Sequence, residues 1–347
     1  MRPHPNIPSL GSYFPLALVC VALFAFAACA RAQTPLVEES ESIPAAAVAP
    51  EYIDKLPVPW RALATKLRNA GLSGPAVEQL LARLPPSPTQ SPMGRKIREL
   101  YNKAFYPKAR QSQTGPYYKG VVTQANAELC RQYINAHKVA FAAAEEKYGV
   151  SPAIGAALLF VETRLGKVLG DIPENAFYTL ASMAASDTPE SVSAWLPKLS
   201  GYEKHMPWLR ENLRKRSDWA FNETVALIRH MIKDNIAPER LPGSIYGAVG
   251  ICQFMPSNIS VYGADGDNDG RVDLFTPADA IASLSKYLAK HGWKAGNSGE
   301  RQHSLLMTYN HSTVYANTIL ALSKLINNPG LKAEDLTPVP KKRSAKK

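Results

Sequence analysis

Apolar positions recur at helical spacing along most of this chain. Leu63 and Leu67 mark one stripe, and Val77, Leu80, Leu81 and Leu84 mark another after the Gly71-Leu72-Ser73-Gly74 break. Pro85-Pro86-Ser87-Pro88 ends that region. Residues 97–105 and 122–148 predict further helices, the second turning Leu129, Tyr133, Val139, Phe141 and Ala144 towards its successor. The successor begins at Ser151, a suitable N-cap, and Pro152, and is apolar nearly all round as far as Val161, with Gly166 as its stop. A helix of that kind belongs in a core. Residues 221–231 read as amphipathic helix, and 277–291 as a helix burying Ile281, Leu284 and Leu288 beside Tyr287. An apolar run from Leu305 leads into a last helix ending near 326. Residues 184–216 are too irregular to place, and their tryptophans read as core. No long alternating run predicts a major sheet, so the class is mainly α.

Residues 14–28 form an apolar run ending in small residues, which reads as a secretory leader over 1–32. Ala30-Arg31-Ala32 fits a cleavage site. Phe26-Ala27-Ala28-Cys29 is the alternative, a lipobox with a poor first position; membrane association is expected only if Cys29 is lipidated. A flexible spacer over 33–50, a folded region over 51–335 and a basic tail over 336–347 follow. That length is ample for one large core or two packed lobes. The formal net charge of +11 favours anionic partners. In an exported, periplasmic chain this points to cell-envelope polymer and away from nucleic acid. Beyond the leader, Cys130 and Cys252 are compatible with a disulfide or with two buried thiols.

Three stretches hold candidate chemistry. Glu162 lies near the end of the all-round apolar helix, where it must find a partner or keep its proton; burial raises a carboxyl pKa towards the range useful for proton donation. A surface rim is the competing reading. Gly243-Ser244-Ile245-Tyr246-Gly247-Ala248-Val249-Gly250-Ile251-Cys252-Gln253 sets Gln253 among glycines and apolar residues, in a tight turn or a ligand-lined loop. Asp265-Gly266-Asp267-Asn268-Asp269-Gly270 matches the front of an EF-hand calcium loop. Its twelfth position is Thr276 where a Glu normally closes the site, and Asp279, three residues later, can serve instead. Thr276-Pro277-Ala278-Asp279 also reads as a helix start, and the two roles are compatible. Tyr309, Asn310 and Tyr315 rim the core or line a groove.

In order, Y-G-V-x-P, V-E-T-R-x-G, G-S-x-x-G-A-x-G-x-x-Q-F-M-P-S, D-x-D-x-D-G, D-A-I-A-S and Y-N-H-S-x-x-Y resemble the lytic murein transglycosylase B family over residues 60–326. The resemblance implies a helical N-terminal lobe over 51–147, a lysozyme-like helical core over 148–326 and an EF-hand-like loop over 265–279. It implies Glu162 as the single catalytic acid, with Ser244, Gln253, Tyr287, Tyr309, Asn310 and Tyr315 at substrate-contacting positions. It further implies a structural Ca²⁺ held by Asp265, Asp267, Asp269, the Arg271 carbonyl and Asp279, and no organic cofactor. Leu165 stands where the family has Trp, and Met183-Ala184-Ala185-Ser186-Asp187 replaces an aromatic and basic run, which alters the distal sugar subsites.

The implied reaction is cleavage of peptidoglycan strands between N-acetylmuramic acid and N-acetylglucosamine without water. Glu162 protonates the bridging oxygen, then accepts the proton of the muramoyl 6-hydroxyl as it closes on C1 to a 1,6-anhydro sugar. A lysozyme-type hydrolase on the same fold and a non-catalytic wall-binding scaffold are the alternatives.

Overall fold

The computed structural model describes residues 51–107, 115–170 and 175–338. The expected leader with Cys29, the spacer, and the tail from 339 onward lie outside the described residues. The chain is helical: α1 Glu51–Lys55, α2 Val58–Asn69, α3 Pro75–Ala82, α4 Ser91–Phe105, α5 Gln124–Ala136, α6 Lys138–Tyr148, α7 Pro152–Thr163, α8 Ala176–Ala184, α9 Met206–Lys233, α10 Pro256–Tyr262, α11 Pro277–Lys290, α12 Gly299–Tyr309 and α13 Thr313–Asn327. Short 3₁₀ turns fill some of the gaps. Among the described residues there are no strands, only isolated bridges such as Gly243 to Val249 and Val249 to Phe254. The mainly α class holds.

Helix α7 is the axis of the core. Every side chain from Ala153 to Val161 is buried, as all-round apolarity requires. Ser151 takes the N-cap place with Pro152 after it, but its side chain makes no capping bond. The helix ends at Thr163, followed by Arg164, Leu165 and Gly166 in left-handed conformation (φ 49°, 62° and 85°). Helices α5, α6, α11 and α13 pack around α7, while α4 packs on α8 and α9. Helices α5 and α6, which precede α7, pack on it directly.

Residues 122–148 are two helices rather than one. His137, off helical geometry (φ −119°, ψ 31°), ends α5 and precedes α6. Ala127 and Cys130 form the inward face of α5, which leaves Leu129 40% exposed; the break then resets the phase, so that α6 turns Phe141 and Ala144 inward and leaves Val139 77% exposed. The expected inward placement of Leu129 and Val139 is corrected accordingly. Helix α9 is far longer than the 221–231 segment read from sequence. Its inward stripe of Leu209, Leu213, Ser217, Ala220, Leu227 and Ile228 contains small and polar members that weaken the pattern. Ahead of it, 189–198 forms a 3₁₀ segment kinked at Val192, with Trp195 packed against Gly94. Among the described residues, no helix is long and apolar enough to cross a membrane.

Truncating the centre of α7 removes buried contacts that the surroundings cannot refill. Leu158→Ala is expected to cost about 2–5 kcal/mol in urea unfolding, against about 0.5 kcal/mol or less for Val139→Ala on the exposed face of α6.

Candidate active site

The last turn of α7 delivers Glu162 to the edge of the core, where it is only half-buried as a residue. Its carboxylate meets the first turn of α13. Ser312 caps that helix by accepting from Tyr315 N, and this fixes Tyr315, whose side chain is fully buried. The Tyr315 hydroxyl donates to Glu162 Oε1 at 2.5 Å. Burial drives the Glu162 pKa up to about 7, and the Tyr315 bond opposes the rise by favouring the ionised form. Burial, and then the neighbouring Glu162, push the Tyr315 phenol well above its ordinary range. The phenol therefore keeps its proton and acts only as a donor.

Aromatic residues form the wall behind this pair. Tyr309, at the end of α12, stacks nearly parallel to Tyr315 (13° between planes, centroids 6.5 Å apart). Its hydroxyl donates to the Cys252 carbonyl at 2.5 Å. Tyr287 on α11 meets Tyr309 edge-on at 4.9 Å and donates to the Thr308 carbonyl. Both rings are buried and both hydroxyls are already engaged by backbone. Asn310 caps the end of α12, and its carbonyl accepts from Ser312 N.

The glycine-punctuated stretch is a pair of tight turns. Ser244 Oγ accepts from Ala248 N and Tyr246 N, bracing the first. Gln253 closes the second in left-handed conformation (φ 53°), and its Nε2 donates to Gly250 O at 3.0 Å and Leu169 O at 3.4 Å. Gly250 is needed here on two counts: its φ is 76°, and a Cβ would lie 2.3 Å from Leu274 Cβ. Sequence reasoning missed two supports of this stretch. Thr163 Oγ1 donates to Ile251 O at 2.8 Å. Glu223, buried on α9, accepts from both Ser257 N and Ser257 Oγ at 2.9 Å, holding the start of α10. Its position on the inward stripe of an amphipathic helix was the available signal. Cys130 and Cys252 are both free buried thiols, so the disulfide alternative falls away.

Farther along, carboxylate oxygens of Asp265, Asp267 and Asp279 lie within 4.8 Å of one another. Asp279 is buried at the start of α11, where Thr276 caps the helix as expected. Its two oxygens accept from Gly266 N and Asp273 N, both at 2.7 Å, tying the two sides of the loop together. Asp269 is exposed, and its carboxylate accepts from Arg271 N. Converging hard oxygen donors, one of them buried, fit a Ca²⁺ ion.

Comparison with known proteins shows the family and the fold. The model of the transglycosylase SLT domain matches residues 58–305. Membrane-bound lytic murein transglycosylase B of Escherichia coli (strain K12) is 28% identical over 181 residues, which is 52% of this chain and 42% of that protein. The match thus spans less than half the length of the curated relative. Escherichia coli lytic transglycosylase Slt35, solved in complex with calcium, aligns over 78% of this chain and 93% of its own, with 20% identity and a TM-score of 0.56. SltB3 from Pseudomonas aeruginosa, solved in complex with NAG-NAM-pentapeptide, aligns over 83% and 82% with 16% identity and a TM-score of 0.57. These likenesses establish the lysozyme-like helical fold.

The raised Glu162 pKa has a consequence for stability. The folded state holds this proton up to about pH 7, whereas an unfolded Glu releases it near 4.5, so wild-type stability falls as pH climbs between those values. Gln cannot titrate. Thermal melts should therefore show Glu162→Gln gaining on wild type from pH 5 to pH 8; a constant difference would place the carboxylate in open water.

Proposed function

Because this chain belongs to the transglycosylase SLT domain family, we propose that it is a peptidoglycan lytic transglycosylase. In this reading it cuts the β-1,4 bond between N-acetylmuramic acid and N-acetylglucosamine and leaves a 1,6-anhydro-muramoyl end. The observation that carries it is the desolvated Glu162 carboxyl held by a neutral donor, Tyr315.

The chemistry needs one group in two protonation states. A carboxyl with a pKa near 7 supplies both at neutral pH. Protonated Glu162 gives its proton to the bridging oxygen as the bond from C1 to that oxygen breaks. The ionised carboxylate, stabilised by the Tyr315 hydroxyl, then takes the proton of the muramoyl 6-hydroxyl while O6 bonds to C1. One proton is given and one regained, and no water enters. An intramolecular hydroxyl so placed has an effective concentration of about 10⁵–10⁸ M and outruns solvent. Ordinary glycosidases place a second carboxylate opposite the first; Tyr315, Tyr309 and Cys252, which interact with Glu162, are all neutral residues.

Ser244, Gln253, Asn310 and the aromatic wall of Tyr287, Tyr309 and Tyr315 are assigned to shaping the sugar groove. The Pseudomonas neighbour's complex with NAG-NAM-pentapeptide supports glycan strands as the substrate. Asp265, Asp267 and Asp279, with Asp269 and the Arg271 carbonyl, are assigned to a structural Ca²⁺ that neutralises the loop and leaves bond breaking to Glu162. The Slt35 calcium complex supports that assignment. The working place is the periplasm, reached through the leader over 1–32.

Digests of purified peptidoglycan analysed by mass spectrometry should give products lighter by one water than hydrolytic ends, and Glu162→Gln should lower turnover roughly 10²–10⁴-fold with binding retained. Reducing ends would make the protein a hydrolase, and unchanged cleavage by the variant would refute the role of Glu162. Chelation should lower the melting temperature, and readdition of Ca²⁺ should restore it; superimposable melts would remove the metal.

A further inference from the structure

Glu162 sits one residue from the end of α7, so whatever fixes that last turn fixes where its carboxylate points. Thr163 closes the turn and is 1% exposed. Its hydroxyl donates to Ile251 O at 2.8 Å and accepts from Gly166 N at 3.0 Å. Ile251 N donates to Leu274 O at 2.8 Å. The residue before Leu274 is Asp273, whose N–H donates to the buried Asp279 carboxylate at 2.7 Å. Hydrogen bonds and short pieces of backbone thus run unbroken from the acidic loop to the residue beside Glu162.

Backbone strain gathers at the same junction. Arg164, Leu165 and Gln253 are three of the five non-glycine residues with left-handed backbone among those described. Such conformations persist only where surrounding bonds over-determine them, and the Thr163 hydroxyl bonds to both strained segments.

We propose that Thr163 is a positioning residue, its hydroxyl locking the last turn of α7 to the Gly250–Gln253 turn and so to the Asp279-anchored loop. This rests on Glu162 being the acid and base of the reaction proposed above. Removing the hydroxyl strips a buried carbonyl and a buried-side N–H of their partner, and loosens the turn that aims Glu162. Val has nearly the shape of Thr and fills the same space, so a mere packing role would survive Thr163→Val. Ser keeps the hydroxyl and gives up only a methyl group.

The test uses the full chain with T163V, T163S and E162Q, assayed on soluble glycan strands across pH. T163V should lower kcat about 10- to 100-fold with KM unchanged and displace the pH–rate profile, while T163S keeps the wild-type kcat and profile. A T163V enzyme with wild-type kcat and profile overturns the proposal, as does a T163S enzyme as slow as T163V. Should T163V not fold, as read by circular dichroism, T163S decides: wild-type turnover sustains the role of the hydroxyl, and a folded but slow T163S overturns it. An inactive E162Q beside a normal T163V refutes only this inference, whereas an E162Q as active as wild type refutes the role of Glu162 and this inference with it.

Discussion

One constraint governs the structure: a carboxyl group is carried to the edge of the core by a helix whose other side chains are nearly all apolar. Burial leaves its charge less well solvated than in water, and the ionised form is penalised accordingly. A single neutral hydrogen bond, from Tyr315, returns part of that loss. A cationic partner would pull the pKa down and hold the group ionised; without the Tyr315 bond burial would push it higher. The phenol leaves the group poised between the two states.

The rest of the molecule keeps this balance from collapsing. Helix α7 is gripped by α5, α6, α11 and α13, so its end cannot tilt towards solvent without disturbing a close-packed core. Tyr315 is set by the Ser312 cap and backed by Tyr309, which is itself tied to the Cys252 carbonyl. Buried Glu223 holds the start of α10, and Gly250 lets the turn preceding it lie against Leu274. The acidic loop closes onto the same turn. The geometry around Glu162 comes from loops pinned by individual backbone hydrogen bonds, with the helices as their frame.

Much of this was legible in the sequence, and the reasons are local. The burial of α7 followed from an apolar run bounded by Ser151-Pro152 and Gly166, and the start of α11 from Thr276-Pro277. For Glu162 the sequence left two readings open, a dry site and a surface rim, because a helix with no polar stripe does not say which way its one acid turns. The hydroxyl that faces it was not legible: Tyr315 is far along the chain, and its reading stayed between core and groove because nothing local encodes a tertiary hydrogen bond. Leu129 misled because the inward face of α5 runs through Ala127 and Cys130, and Val139 because the non-helical His137 resets the phase before α6. Helix α9 was half hidden because its buried stripe uses Ser217, Ala220 and Glu223, which carry little hydrophobic signal. Thr163 looked like an unremarked member of an E-T-R motif until its partner, Ile251, was placed beside it.

The most direct measurement is the titration of the Glu162 carboxyl itself in the folded protein, by NMR of isotope-labelled glutamate with Glu162→Gln supplying the assignment. A midpoint near 7 is what a dry site held by one phenol requires. A midpoint at the ordinary value of a solvated glutamate would contradict it, since the group would then be ionised at neutral pH and have no proton to give.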